Sequence, residues 1–428
     1  MSNSRRILLT EGSSTSARQT LHCLGGRHTI DVMDSAALSQ GRFSTFVRHW
    51  HRCPLSSADP IAYLRRLKEL IDEHHYDVVV ATHEQAYLLS RVREPLQNHV
   101  GVALPTLNAI DRLQNKANFA RVMEELGLPQ PHTRIIDGTS AESLHEGCSA
   151  QSEFPCFLKT AHGTAGRGVV AIHDSTEMRE WIKEQTASNG SLPNQEIVLQ
   201  SAAPGELSIL QAVFDRGRLV AWHDATSLRR GVGGAPIVRV STHREKVAED
   251  VRKLGESLDW HGALFVEYFY DETTQKHLFI EANPRIGETV NAMLSGVNLC
   301  EILVNVSLKS VPETAPVASG VAGVQSHQFL TALLDQAMRT GSRAAVWREC
   351  MNRLRHRNGY RDSQPELMRL RQDPLSGVPP LAVGIELLIS PKRAHKMVLS
   401  TVANYGLNAD AVAKIADLPT SELSSIFE

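Results

Sequence analysis

The segment Leu278–Glu288, LFIEANPRIGE, sets two acids, a carboxamide and an arginine in and just beyond an apolar run. A carboxylate buried without a partner is costly, so Glu281, lying among Leu278, Phe279, Ile280 and Ala282, calls for one. A second acidic segment lies upstream, GALFVEYFYD from Gly262 to Asp271, and both have the β-branched and aromatic character of strands. Paired in one sheet, they bring Glu267, Glu281 and Asn283 to one end as three oxygen ligands, with Arg285 two residues further on. Hard oxygen donors of this kind suit Mg2+, which keeps phosphate oxygens in its shell, and Mn2+ accepts the same donors. The competing reading is a hairpin whose acids face water.

Composition narrows the class. A chain of 428 residues, 42% hydrophobic and 21% charged, is long enough for two to four domains and has no compositional sign of disorder. A net charge of −2 with a pI near 6.8 gives no electrostatic footprint for nucleic acid or an anionic membrane. The Arg-rich stretch 343–371 is interspersed with acids and apolar residues and reads as solvated helix faces. Cys23, Cys53, Cys148, Cys156, Cys300 and Cys350 lie far apart without CxxC spacing, which argues against a zinc site or disulfide framework. The N-terminus lacks the apolar run of a signal peptide, and no 18-residue apolar span occurs. A cytoplasmic protein is expected.

The first hundred residues alternate strand and helix. Arg6–Thr10 reads as a strand, Ala17–Leu24 as a helix and His28–Met33 as a second strand. Pro60 opens a helix through Tyr63, Leu64, Leu67 and Ile71, and Asp77–Thr82 is a continuous apolar strand. Alternation implies a parallel sheet, whose carboxyl ends carry Glu11–Ser14 and His83-Glu84, the place where open α/β sheets put ligands. A helix is expected over Leu107–Leu126, stopped by Gly127. A strand-rich region follows from Phe154 to about Lys309. Beyond a linker near Val311, helices are expected around 328–340 and 345–357 and a strand over Leu381–Ile389.

Further candidates stand outside the acidic strands. Lys159 ends the strand-like FPCFLKT and precedes HGTAGRG, where Gly163, Gly166 and Gly168 let backbone N–H groups turn toward an anion. Lys116, in QNKANF, precedes a helical stretch ended by Gly127 and followed by LPQPHT. In EIVLQSAAPGELSIL, Gln200 and the backbone from Ser201 to Ala203 suit the donors and acceptors of a base, and Glu206 suits ribose hydroxyls. The loop LRRGVGGAP carries Arg229 and Arg230, which suit a bidentate clamp on a carboxylate or phosphoryl group, and Gly233 and Gly234, which let it fold over a substrate. Plain β-turns and surface lysines explain each of these letters taken singly.

Taken in order, Lys116, Lys159 with its glycine loop, the Gln200–Glu206 connection, Glu267 and Glu281-x-Asn283-x-Arg285 resemble the ATP-grasp superfamily. The likeness covers about residues 5–310. It looks closest to the branch with biotin carboxylase, carbamoyl-phosphate synthetase and bacterial L-amino acid ligases, above all in LPTLNAIDRLQNKANFARVMEELGLPQPHT. It implies an N-terminal α/β domain (1–105), an ATP-grasp domain (106–310, small lobe about 130–200) and an α+β extension (311–428). Gln200 stands where many members have glutamate, Ala165 where a third central glycine is common, and IGET after Arg285 lacks the Gln-Val-Glu-His of biotin-dependent carboxylases.

The resemblance implies ATP and Mg2+ as cofactors. Lys116, Lys159, Gly163, Gly166, Gly168, Gln200, Ser201, Ala203 and Glu206 would then surround the nucleotide, and Glu267, Glu281 and Asn283 the metal. Arg285, Arg229 and Arg230 would stabilise transferring charge, with Glu84, Gly233, Gly234 and Glu288 near the substrates. The implied activity is a carboxylate–amine ligase joining small molecules, amino acids among them, through an acylphosphate. A carboxylase or purine-pathway ligase activating bicarbonate or formate, and a catalytically silent ATP-binding module, are the alternatives. Partners are expected to be small-molecule carboxylates and amines. The last hundred residues match no motif, and shielding the site or forming a homodimer are the roles open to them.

Overall fold

Ile7–Leu9 and Val78–Val80 are short apolar runs buried on both faces. In the computed structural model, which describes residues 4–163, 168–187, 195–367 and 371–428, β1 (Arg6–Leu9), β2 (Thr29–Asp34), β3 (Val47–Arg52) and β4 (Val78–Val80) form a parallel sheet ordered β3-β2-β1-β4. Ile7, Leu8 and Leu9 are fully buried, as helix-covered parallel strands require. Helix Thr15–Leu24 begins at Ser14, whose hydroxyl accepts the Ala17 N–H at 3.0 Å, and helix Pro60–His74 begins at Asp59 with proline in its first turn. The loops after β1 and β4 meet at the carboxyl end of the sheet. There the Thr82 N–H donates to Thr10 Oγ1 at 3.2 Å and the Thr82 hydroxyl to Glu11 at 3.1 Å.

A small antiparallel sheet and a large, mainly antiparallel one follow. β5 (Thr133–Asp137), β6 (Cys156–Thr160), β7 (Val169–Ile172) and β8 (Glu196–Ser201) are ordered β5-β8-β6-β7 over a small core that includes Leu144, Leu158, Ile182 and Leu199. The large sheet takes β9 (Glu206–Asp215), β10 (Arg218–Arg230), β11 (Pro236–Thr242), β12 (Gly262–Asp271), β13 (Lys276–Asn283), β14 (Ala318–Ser319), β15 (Gln325–His327) and β16 (Gln364–Pro365). Its order is β13-β12-β9-β10-β11-β15-β16, with β14 on β10, and the pairs β10–β14 and β15–β16 are parallel. The chain passes from one sheet to the other through Gly205. Its φ is +96°, and a Cβ there would stand 2.1 Å from the Tyr270 carbonyl oxygen, so only glycine fits.

Two expected elements are corrected. The helix expected over 107–126 is two, Leu107–Gln114 and Lys116–Glu125. Asn115 leaves helical dihedrals (φ −78°, ψ 119°), and its side-chain oxygen accepts the N–H groups of Ala117 and Asn118 at 2.9 and 3.1 Å. Asparagine is a strong N-cap and here restarts the helix, which makes Lys116 its first residue. The strand expected at Leu381–Ile389 is part of the helix Val378–Ile389. A short apolar run does not distinguish strand from helix, but Pro379 and Pro380 at its start are where a helix tolerates proline. That helix packs with Phe329–Thr340 and Arg343–Leu354 around Leu333, Ala337, Val346 and Leu387. Among the described residues no helix is long and apolar enough to cross a membrane.

The C-terminal segment is stitched to the rest through Glu366, which is fully buried. Its carboxylate accepts from Arg239 Nε (2.7 Å), Ser326 Oγ (2.6 Å), Gln19 Nε2 (2.7 Å) and Gln328 Nε2 (2.9 Å). Gln19 Oε1 in turn accepts the Val290 N–H at 2.8 Å. Helix Thr15–Leu24, the large sheet and the chain beyond β16 thereby share one anion. Removing it leaves a buried guanidinium and two amides short of partners, so Glu366→Ala is expected to lower unfolding free energy by about 3–5 kcal/mol. Asp362→Ala, at an exposed position, is expected to stay within about 0.5 kcal/mol. Urea denaturation of both variants checks this, and equal midpoints would refute the role of Glu366.

Candidate active site

The pairing of β12 with β13 sets Glu267 directly opposite Glu281 and Phe265 opposite Asn283, with a β-bulge immediately after Glu267. Bulges re-aim side chains at strand ends. Alternation does the rest, because Val266 and Ala282 are buried in the core while the acids next to them face the other side. Burial pushes the Glu267 carboxyl up to about 7, and the facing Glu281 adds like-charge repulsion, against the pull of Arg285, Lys159 and Lys116. Asn283 Oδ1 accepts from Arg285 Nη2 at 3.2 Å, and the guanidinium lies 5.0 Å over the Phe265 ring.

The two lysines arrive from other elements. Lys116, placed by the Asn115 cap, sets its ammonium 3.3 Å from Glu281 Oε1 and donates to the Gly163 carbonyl at 3.2 Å. Its backbone N–H donates to Ala161 at 2.9 Å, which ties the helix to the end of β6. Lys159 lies on β6 with only 7% exposure. Burial brings its ammonium down to about 8, with Glu281 opposing, Lys116 adding to the fall and Glu267 opposing again. Gly168, at φ +78°, closes the loop after β6: its carbonyl accepts the Thr160 N–H at 2.8 Å, and a Cβ would meet Thr160 Oγ1 at 2.0 Å. Gly166 lies outside the described residues.

Other expected site residues are placed differently. Gln200 is buried, accepting from Lys159 Nζ at 2.7 Å and donating to Thr133 Oγ1 at 2.9 Å, so its amide is committed to holding Lys159 and does not face a base. The Ser201 N–H is taken by the His132 carbonyl at 3.0 Å, and Ala203 is half-buried on the connection to β9. Glu206 is exposed, with Arg230 Nη2 3.8 Å away. Arg229 is corrected: its guanidinium donates to the buried Glu349 at 2.7 Å and lines a separate groove with Val238 and Arg348, so it is spent on structure. Glu84 accepts the Leu407 N–H beside a small cleft lined by Glu281, Asn283 and Arg285.

A cavity of about 580 Å3 opens next to the acidic strands, lined by Glu267, Arg285, Glu288, the Gly233-Gly234 turn and Ser13–Ser16. Both turn glycines have positive φ, +69° and +79°. Glu288 is held by Arg239 and by Gln328 Nε2 at 2.5 Å. Arg239 and Gln328 were not among the residues singled out from the sequence, although Arg239 interrupts the apolar strand PIVRV as Glu281 interrupts its own. Among the described residues, the facing carboxylates with a carboxamide beside them have the donor chemistry of a hard divalent cation. Lys116, Lys159 and Arg285 around them have that of phosphate.

No protein-family model matches the chain. It is 23% identical over 295 residues to the carbamoyl phosphate synthase large chain of Pyrococcus furiosus, an alignment that covers 63% of this chain and 26% of that protein. The chain thus spans about a quarter of that relative. The ATP complex of carboxyaminoimidazole ribonucleotide synthase from Aspergillus clavatus matches with a TM-score of 0.59 at 18% identity, over 77% of this chain and 83% of that one. The L-amino acid ligase of Bacillus licheniformis matches with a TM-score of 0.55 at 15% identity, over 74% and 77%. The chain has the ATP-grasp fold and, in the order of its motifs and in the relatives it matches, is similar to the ATP-grasp superfamily.

Proposed function

We propose that the chain is an ATP-dependent, ADP-forming ligase that activates a small-molecule carboxylate for attack by an amine. The observation that carries this reading is the convergence of Lys116, Lys159, Glu267 and Glu281 at the junction of the small and large sheets, beside a cavity lined in part by Arg285. In this reading Glu267, Glu281 and Asn283 hold Mg2+, which when bound neutralises charge on the β- and γ-phosphates. Lys116 and Lys159 bind phosphate oxygens, and Gln200 keeps Lys159 aimed. Arg285, held by Asn283 and Phe265, would supply positive charge to the transferring phosphoryl group and the acceptor carboxylate. The amine then attacks the activated carbonyl and expels phosphate. An acylphosphate hydrolyses in water, and the Gly233-Gly234 turn beside the cavity is suited to exclude it.

The carboxylase reading has the carboxyaminoimidazole ribonucleotide synthase in its favour, a fold match at least as good as that of the amino acid ligase. A cavity of about 580 Å3 is far larger than bicarbonate needs, which favours an organic substrate in it. A phosphate-release screen of carboxylates and amines, singly and in pairs, with and without bicarbonate, separates the readings. Chromatography should find ADP and phosphate. AMP as the stoichiometric product would overturn the mechanism, and nucleotide binding without turnover would favour the silent module.

Glu281→Gln keeps the shape of the side chain and removes one of the facing charges. Turnover is expected to fall by roughly two to three powers of ten with the melting profile retained, and turnover within a few-fold of the wild type at millimolar Mg2+ would overturn the metal assignment. Lys159 supplies a pH signature. Its ammonium loses its proton in the free protein at about 8, so binding phosphate above that pH requires the proton to be regained. ATP affinity is therefore expected to weaken as pH rises past about 8, by up to about tenfold per unit. In Lys159→Arg, whose charge persists, the profile should be flat, and parallel profiles by calorimetry would exclude Lys159 from the phosphates.

A further inference from the structure

We propose that the cavity takes an amphipathic carboxylic acid, its anion held by Arg18 at the N-terminus of helix Thr15–Leu24 and its bulky apolar body lying against the C-terminal helices. This deepens the ligase reading by naming the class of one substrate, and it rests on that reading only for what happens to the acid afterwards.

Arg18 lines the cavity with 8% exposure, and its guanidinium has one side-chain partner, the neutral Gln40 Oε1. No carboxylate lies within ion-pair distance of it among the described residues. Other inward-facing arginines are matched: Arg239 has Glu288 and Glu366, and Arg244 has Asp224. A buried guanidinium without a counter-ion is costly, and burial brings Arg18 down to about 10 with only the field of Asp373 opposing. A bound carboxylate would complete it.

The turn before the helix points the same way. Glu11 accepts the N–H groups of Ser13 and Ser14 at 2.6 and 2.8 Å, Asp34 accepts the Gly12 N–H at 2.8 Å, and Ser14 Oγ takes the Ala17 N–H. Both acids are engaged by hydrogen bonds with the turn and its neighbours. The N–H groups of Thr15 and Ser16 remain, first-turn donors with no intrahelical acceptor, on residues that line the cavity beside Arg18. Donors, helix dipole and guanidinium converge there on a site for negative charge.

Another wall is apolar and comes from three helices of the C-terminal segment, through Phe329, Leu334, Met338, Val383, Met397 and Val402. Apart from Val402, these are half-buried side chains packed on the Leu333–Val346–Leu387 core, each leaving part of its surface to the cavity. A space of about 580 Å3 is within the range of small-molecule pockets, and the two methionines let its wall adapt.

Calorimetry on the full chain, without nucleotide, tests this independently of turnover, using phenylpropanoate, its neutral amide, propanoate and inorganic phosphate as probes. Phenylpropanoate is expected to bind roughly ten- to a hundredfold more tightly than the amide and more tightly than propanoate. Arg18→Gln should abolish the preference for the acid while leaving amide affinity unchanged, and Arg18→Lys should retain part of it. Val383→Asp should weaken acid and amide together. Circular dichroism and ATP binding confirm that each variant is folded. Equal affinity for acid and amide, an unchanged preference in Arg18→Gln, or no binding of any organic probe would overturn the proposal, as would inorganic phosphate binding more tightly than phenylpropanoate in an Arg18-dependent way. Absence of ATP turnover with binding intact would instead refute the ligase reading alone.

Discussion

Two carboxylates facing each other across paired strands repel, and much of the site is arranged around that repulsion. Glu267 and Glu281 are adjacent because β12 and β13 pair in one register, and a register slip would send both into the core. Their charge is balanced from outside the hairpin. Lys116 comes from a helix restarted by Asn115, Lys159 from the neighbouring sheet and Arg285 from the loop after β13. Each cation depends on a different element, so the cluster exists only when those elements are docked together. On the proposed function, this docking would also bring together the residues that hold the nucleotide.

The second anchor is the buried Glu366. It gathers Arg239, Gln19, Gln328 and Ser326 and fixes the C-terminal helices as one wall of the cavity. Arg239 then holds Glu288, which lines that cavity, so the segment without a recognisable motif sets its shape. Contrast with Arg18 gives the pattern its meaning. Where the fold needs a buried arginine for itself, it supplies acids, and where it supplies only Gln40, a ligand's charge is the missing partner.

The acidic hairpin and the parallel N-terminal sheet were legible because each is a local pattern. Apolar alternation marks strands, a charge inside an apolar run marks a residue that needs a partner, and glycine marks turns that other residues cannot make. Gln200 shows the limit of such reading. Its position at the end of β8 was clear, but its amide turned to Lys159, a contact made across the sheet that nothing adjacent in sequence announces. Arg229 and Arg230 likewise looked like a clamp beside two glycines, and a glutamate from the C-terminal segment claims the first.

The sequence by itself determined that Glu281 is expensive to bury alone, and which elements carry it, Glu267 and Lys159. Only the tertiary structure decided their partners. Hydrogen bonds and ion pairs form wherever packing brings groups within about 3 Å, and packing joins positions as distant as Gln19 and Glu366, 347 residues apart. Hydrophobic periodicity specifies a face but not what lies against it. The choice between Arg229 and Arg239, the use of Gln200 and the apolar wall of the cavity therefore appear only once the sheets and helices have docked.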